Sequence, residues 1–112
     1  MARHEFIPDH FHTTIGFHEP VLAIADGDSV STTTVDAAGR DANGEQVTPG
    51  GNPQTGPFRV QGAEPGDTLA VTFDHLMPNR DWGHTAGCIA PNVLEPGYVP
   101  EFADDLNRLI WQ

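Results

Sequence analysis

The sequence contains no lysine and a single cysteine, and it has no long run of apolar residues. Its five basic residues, all arginine, face 16 acidic residues, so the formal net charge is −11. Partners that carry phosphate, such as nucleic acids and anionic membranes, need a basic surface, and this charge balance argues against both. Because the chain also shows neither a secretory leader nor a stretch that could span a bilayer, we expect a cytoplasmic protein.

The lone cysteine, Cys88, excludes an internal disulfide, as is usual in a reducing cytoplasm. A cysteine between Gly87 and Ile89 is typical of a small buried apolar residue, and a nearby histidine, His84, leaves a nucleophile open as the alternative. The lack of lysine has two interpretations. One is an acidic surface suited to high salt, and the other is a GC-rich genome that encodes arginine instead.

Glycine and proline are abundant, with 12 and 10 residues, while the apolar fraction is only 38%. A chain of 112 residues is long enough for one domain with a modest core. The compact apolar runs between these breakers favour folded structure over disorder. We therefore expect one mainly β domain over residues 1–112, similar to a sandwich or barrel, with long turn-rich loops.

Strand-like segments alternate with turn signals along the chain. Residues 21–36 predict a hairpin whose turn is Asp26-Gly27, and a long, mobile polar loop follows over residues 37–51. Residues 58–60 predict a strand. Residues 68–74 predict another, because Leu69, Val71 and Phe73 alternate with smaller or polar side chains. Near the end of the chain, apolar spacing over residues 101–111 predicts a short helix.

Two groups of polar residues near the N-terminus could carry chemistry. In a strand, His10 and His12 would share a face and could reach one metal, with Asp9 and His18 as further ligands. The alternative is solvated histidines in a flexible terminus. Asp36 closes a threonine-rich run, where its carboxylate could bind a metal, act as a general base, or simply begin a solvated turn.

A third group lies in the segment from Asn79 to His84. Trp82 and His84 stand close to Arg80 and Asp81 there, and this density of polar and aromatic groups suits the wall of a pocket. The alternative is a surface pair between Arg80 and Asp81, with Trp82 packed on the core.

Five segments together resemble the N-terminal part of the acetamidase/formamidase family, from His12 to about Pro96. The most specific are a G-N-P-x-T-G-P motif and a G-A-x-P-G-D motif. The segments are Pro20-Val21-Leu22 with Gly27-Asp28-Ser29-Val30, Thr34-Val35-Asp36-Ala37, Gly51-Asn52-Pro53-Gln54-Thr55-Gly56-Pro57, Val60-Gln61-Gly62-Ala63-Glu64-Pro65-Gly66-Asp67-Thr68-Leu69, and Pro78-Asn79-Arg80-Asp81-Trp82-Gly83.

The resemblance implies an all-β hydrolase that acts on the carbon–nitrogen bond of short linear amides. Formamide or acetamide would be converted to a carboxylate and ammonia. Members of that family are several hundred residues long and typically oligomeric, so the resemblance covers only the first part of such an enzyme. We therefore expect a segment that is not active alone and that joins further copies or a missing C-terminal segment.

The resemblance also implies roles for particular residues. Asp36 would be a catalytic carboxylate and a ligand, with His12, of a divalent metal such as zinc or calcium. His84 would be a second catalytic group. The small amide would contact Asn52, Thr55 and Trp82.

Two other function classes stay open from the sequence. The same turns could build a β-sandwich that serves only binding or assembly. Alternatively, His10, His12 and His84 could hold a metal in a cupin-like barrel.

Overall fold

The computed structural model describes residues 1–86, 91–93, 95–98 and 108–111. The chain divides into two units, Met1–Asn79 and Arg80–Gln112, and each is described by itself. Cys88, for which the sequence left a buried apolar residue or a nucleophile open, lies outside the described residues.

Short strands make up most of the regular secondary structure among the described residues, which confirms the prediction of a mainly β protein. The first unit contains β1 (Arg3–Phe6), β2 (Leu22–Ile24), β3 (Ser29–Thr32) and β4 (Phe58–Val60). The second contains β5 (Gly83–Ala86), β6 (Arg108–Trp111) and two 3₁₀ turns, Pro91–Val93 and Pro96–Tyr98. Each sheet has two strands, so no barrel closes within the described part of the chain.

The two sheets of the first unit are parallel pairs. β1 pairs with β3, with Arg3 opposite Ser29, and β2 pairs with β4, with Leu22 opposite Phe58. The hairpin predicted over residues 21–36 is therefore wrong, although its two strands and its turn are present. β2 and β3 flank the turn but lie in different sheets, because each has a partner from a distant part of the chain.

Asp28 explains why β3 pairs with β1 rather than with β2. Its carboxylate accepts hydrogen bonds from the backbone amides of Ala2 (2.7 Å) and Ala25 (3.0 Å) and from His4 Nε2 (2.8 Å). These contacts, chiefly that of His4, hold the pKa of Asp28 far below its usual value. The ionised carboxylate therefore stabilises the fold above about pH 4, and this contribution is lost as the pH falls further.

No hydrophobic side chain is fully buried among the described residues. The buried positions there are Gly39, Pro53 and Gly56. The two sheets of the first unit meet through Phe6 of β1 and Phe58 of β4, whose half-buried rings pack edge to face at 5.5 Å. Small and rigid residues, rather than a core of large side chains, thus occupy the interior positions that the structure describes.

Residues 68–74 do not form the predicted strand. A strand is stabilised by hydrogen bonds to a neighbour, and no described segment pairs with this one. Leu69, Val71 and Phe73 are consequently exposed, at 60%, 74% and 76% of their surface.

The prediction of a helix over residues 101–111 is wrong where it can be compared. Arg108–Trp111 is strand β6, which pairs antiparallel with β5, while residues 101–107 lie outside the described residues. Pairing with β5 overrides the helical spacing, as tertiary context commonly overrides local propensity. Helices long and apolar enough to cross a bilayer are absent from the described residues.

Candidate functional site

A cavity of about 210 Å³ lies between two loops of the first unit. One loop contributes residues 12–18 and the other contributes residues 54–57, which belong to the G-N-P-x-T-G-P motif. The residues that line the cavity are His12, Thr14, Ile15, Gly16, His18, Gln54, Thr55, Gly56 and Pro57. The structure thus brings together two of the predicted site residues, His12 and Thr55.

Backbone hydrogen bonds join the two loops at both ends of the cavity. His12 and Gln54 exchange a pair of them, with N···O distances of 3.3 and 2.8 Å. At the other end, the amide of Val21 donates to the carbonyl of Pro57 at 2.9 Å. Because main-chain bonds hold this frame, the side chains of His12 and Gln54 are not needed to form it.

Three histidines cluster at one side of the cavity. The rings of His12 and His18 stack with centroids 3.8 Å apart and planes inclined by 9°, and His10 meets His12 edge to face at 5.6 Å. His18 Nε2 donates to the carbonyl of Thr14 at 2.9 Å. His10 Nδ1 donates to the carboxylate of Asp9 at 2.7 Å.

The cluster contributes to a lowered pKa at His12 and at the neighbouring Asp9. Partial burial, followed by the charges on His18 and His10, lowers the pKa of His12 below its usual value. The hydrogen bond from His10, followed by its charge, lowers the pKa of Asp9. His12 is therefore neutral at pH 7 and carries a lone pair that can accept a proton.

The histidine cluster does not fit a shared metal ion in this arrangement. A metal lies in the plane of each imidazole that binds it, and the planes of His12 and His18 run parallel, 3.8 Å apart, so they do not meet at one ion. The Nε2 atom of His18 already uses its proton on Thr14. Groups of three or more histidine, cysteine or acidic residues suited to a metal are absent from the described residues.

The motif loop is anchored to the segment that follows β3. The amides of Gly51 and Asn52 both donate to the carbonyl of Ala37 at 3.1 Å, and the hydroxyl of Thr55 donates to the carbonyl of Thr33 at 2.9 Å. Asn52 adopts a left-handed conformation, with φ of 60°, which asparagine tolerates better than most residues. Its exposed side chain is not among those lining the cavity, so Asn52 serves here to shape the loop.

Asp36 organises the turn after this segment. Its Oδ1 accepts hydrogen bonds from the amides of Ala38 (3.0 Å) and Arg40 (2.9 Å), and its carbonyl accepts one from Gly39 (2.9 Å). Asp36 is half-buried and does not line the cavity. The structure therefore gives this carboxylate a positioning role, and its predicted catalytic and metal-binding roles stay predictions.

Trp82 and His84 belong to the second unit. The guanidinium of Arg80 lies 3.9 Å from the centre of the Trp82 ring, and Arg80 Nε donates to the carbonyl of Trp82 at 3.0 Å. His84 is tilted against the same indole, with centroids 6.4 Å apart. Arg80 thus contacts Trp82 both by a cation–π interaction and by a hydrogen bond, and the alternative of a surface pair with Asp81 stays a prediction.

Gln54, Ile15 and Gly16 are site residues that sequence reasoning missed. Gln54 stands in the variable position of the G-N-P-x-T-G-P motif. Its place between Asn52 and Thr55, both predicted to contact the substrate, was the one feature of the sequence that pointed to it. Ile15 and Gly16 carry no motif, and only the pairing of His12 with Gln54 brings their loop to the cavity.

Comparisons with family models, with curated proteins and with solved structures found no match to this chain.

Proposed function

We propose that this chain forms the substrate-binding part of a hydrolase that converts short linear amides to a carboxylate and ammonia. The observation that supports this most directly is the cavity itself. Gln54 and Thr55 of the motif that resembles acetamidases and formamidases line it together with His12. The chain would be the N-terminal portion of the active enzyme, with further catalytic groups supplied by other segments or copies.

The size of the cavity supports a small substrate. A water-sized group occupies about 30 Å³ in a liquid, so a cavity of about 210 Å³ has room for about seven such groups. Sites for drug-sized ligands start at about 300 Å³. Formamide and acetamide fit this limit, and Ile15 and Pro57 provide apolar contacts for the acyl group.

The polar groups of the cavity match the two ends of an amide. The side-chain NH₂ of Gln54 can donate to the amide oxygen, where negative charge develops during attack. The hydroxyl of Thr55 uses its proton on Thr33, so its oxygen is left to accept an N–H of the substrate. These assignments orient the carbonyl carbon within the cavity.

His12 supplies a base for the attacking water. Its neutral imidazole takes a proton as the water oxygen bonds to the carbonyl carbon, and the same proton is then delivered to the departing nitrogen. The carbon–nitrogen bond breaks, and the products are a carboxylic acid and ammonia. Because the histidine cluster does not fit a shared metal, this route passes no step through a metal.

The predicted residues outside the cavity take different roles in this proposal. Asp36 shapes the turn over residues 36–40 through its carboxylate, and the backbone amide of Asn52 anchors the motif loop to Ala37 at the start of that turn. Trp82 and His84 stay candidates for substrate binding and catalysis, and they belong to the second unit.

The proposal is tested by titrating the full chain with acetamide and monitoring the ring protons of His12 and His18 by NMR. We expect these signals to shift with a dissociation constant of about 1 mM, since so small a ligand makes few contacts. Gln54→Ala removes one hydrogen bond and should weaken binding about fivefold, while leaving the His12–Gln54 backbone pair intact.

Gln61→Ala is the matched control, because Gln61 is exposed and does not line the cavity. The proposal is wrong if acetamide leaves both histidine signals unmoved. It is equally wrong if the two glutamine variants bind acetamide alike. Binding without ammonia release is the behaviour that we expect of this chain alone.

A further inference from the structure

Residues 67–77, here called the 67–77 segment, expose an unusual number of large apolar side chains. The exposed fractions run from 60% for Leu69 to 80% for Leu76. The other three in this group are Val71, Phe73 and Met77, at 74%, 76% and 66%. The first three apolar residues alternate with smaller or polar ones, which is the pattern of a strand with one buried face.

The backbone of this segment is available for pairing. No hydrogen bond joins residues 68–77 to any other described residue. No residue there has a positive φ, so nothing in the backbone opposes a strand. The segment therefore has the sequence of a strand and the exposure of an edge, but it has no described neighbour.

We propose that residues 67–75 of the 67–77 segment pair antiparallel with the same residues of a second copy of this chain, about a two-fold axis at Val71. In that register Val71 lies opposite itself and Leu69 lies opposite Phe73, so one face of the new ribbon is apolar. Shifting the register by one residue would move these side chains to opposite faces.

The polar residues of the segment fit this register. Asp67 lies opposite His75 at each end of the pair, which twice places a carboxylate against an imidazole that can donate a hydrogen bond to it. Asp67 uses Oδ2 to accept the amide of Glu64 at 2.8 Å, and its second oxygen can accept from His75. Asp74 lies opposite Thr68, so no two like charges face each other.

A second copy of this chain is the partner of the 67–77 segment because the sequence of the segment is self-complementary about Val71. Apolar residues stand two positions to either side of it, and a carboxylate and an imidazole, which can share a hydrogen bond, stand four positions to either side. A different partner would not require this symmetry. Pairing would also cover apolar surface in a protein whose described residues include no buried hydrophobic side chain. The inference is independent of the proposed function, since the 67–77 segment does not line the cavity.

Cross-linking by single cysteines tests both the pairing and its register. Val71→Cys, in a chain that also carries Cys88→Ser, should form a disulfide-linked dimer under mild oxidation. Residues directly opposite in an antiparallel pair have Cα atoms about 5 Å apart, within reach of a disulfide. Leu69→Cys and Phe73→Cys should each stay unlinked alone and should link when the two variants are mixed.

Sedimentation velocity on the unmodified chain provides the second measurement. We expect the dimer fraction to rise with protein concentration. His75→Asp places like charges opposite each other at two symmetric points and should raise the dissociation constant about fivefold. Gln61→Asp is the matched control, since it adds the same charge outside the segment.

A chain that is monomeric at every concentration overturns the proposal. Linking by Leu69→Cys alone also overturns it, because that result requires either parallel pairing or an antiparallel register centred on residue 69 instead of Val71. The substitutions in the 67–77 segment and at Gln61 fall on exposed positions, and a circular dichroism spectrum equal to that of the unmodified chain confirms that the variants fold.

Discussion

At the scale of single residues, the stacking of His18 on His12 influences the protonation state of His12 in the cavity. Two imidazoles 3.8 Å apart cannot both be protonated without repulsion, so a charge on His18 favours the neutral form of His12. Partial burial acts in the same direction on His12. The result is a base with an available lone pair in a protein that otherwise carries mostly negative charge.

This arrangement predicts how the protein responds to acid. The pKa of His12 is lowered in the folded protein, so the unfolded chain binds more protons just below pH 6.5. The free energy of unfolding should therefore fall as the pH drops from about 6.5 through the folded pKa of His12. NMR titration of the ring protons should show His12 titrating below its usual value.

His18→Ala should raise the pKa of His12 toward its usual value, because it removes both the stacked ring and a source of repulsion. His75→Ala is the control, since His75 is exposed and does not contact the cluster. An unchanged titration of His12 in His18→Ala would show that the pair does not set this pKa.

At the scale of elements, the loop after β3 is held by closely spaced hydrogen bonds. The carbonyl of Gly39 accepts from the amides of Val47 (3.0 Å) and Thr48 (3.3 Å), and Arg40 pairs with Gln46 in an isolated bridge. Gly39 is buried, and a Cβ atom there would overlap the carbonyl oxygen of Thr48. The loop thus requires glycine at this position for space as well as for conformation.

Gly39→Ala should destabilise the protein strongly. Its φ of +84° costs a side chain about 1 kcal/mol, and the overlap with backbone adds to that, so we expect a loss of about 3 kcal/mol or more. Gly62→Ala is the matched control. Gly62 has nearly the same φ, +83°, but no atom lies within 4 Å of the added Cβ.

Denaturant unfolding measures both variants. Gly62→Ala should lose only about 1 kcal/mol, because it bears the conformational strain alone. Equal losses in the two variants would mean that the contact between Gly39 and Thr48 contributes nothing.

The elements also show which parts of the fold the sequence can predict. Strand composition located β2, β3 and β4, and Asp26-Gly27 located the turn. The pairing was not predictable, because it depends on Asp28 holding Ala2 and His4, and no local pattern reveals contacts across such a distance along the chain.

The candidate site was predictable to a similar extent. His12 and Thr55 were found from residue type and motif. The cavity between their loops depends on the backbone hydrogen bonds between His12 and Gln54, and backbone hydrogen bonds cannot be read from the pattern of side chains. The strand expected over residues 68–74 does not form for a related reason. Its alternating pattern is that of a strand, but no described segment pairs with it.

At the scale of the whole molecule, charge opposes stability and few apolar contacts offset it. The formal net charge of −11 comes from 16 acidic residues against five arginines. Among the described residues, no hydrophobic side chain is buried to balance the repulsion. Screening of these charges should therefore have a larger effect here than in a protein with a dense core.

Salt should stabilise the protein at neutral pH. We expect the thermal midpoint to rise by about 5 °C between about 0.05 and 1 M KCl, because the Debye length falls from more than 10 Å to about 3 Å. Thermal unfolding followed by circular dichroism measures this shift. The same series near the isoelectric point of about 4.5 is the control, where a smaller shift is expected. A midpoint independent of salt at neutral pH would contradict this account.

The parallel pairing in the first unit also determines the order in which its strand pairs can form while the chain is being synthesised. β3 can join β1 once residue 32 has left the ribosome, because the whole pair is then present. β2 is made before β3, yet it must wait for residues 58–60, since its partner is β4. The second strand to be made is therefore among the last of the first unit to be paired, and its edges are open to other chains in the interval.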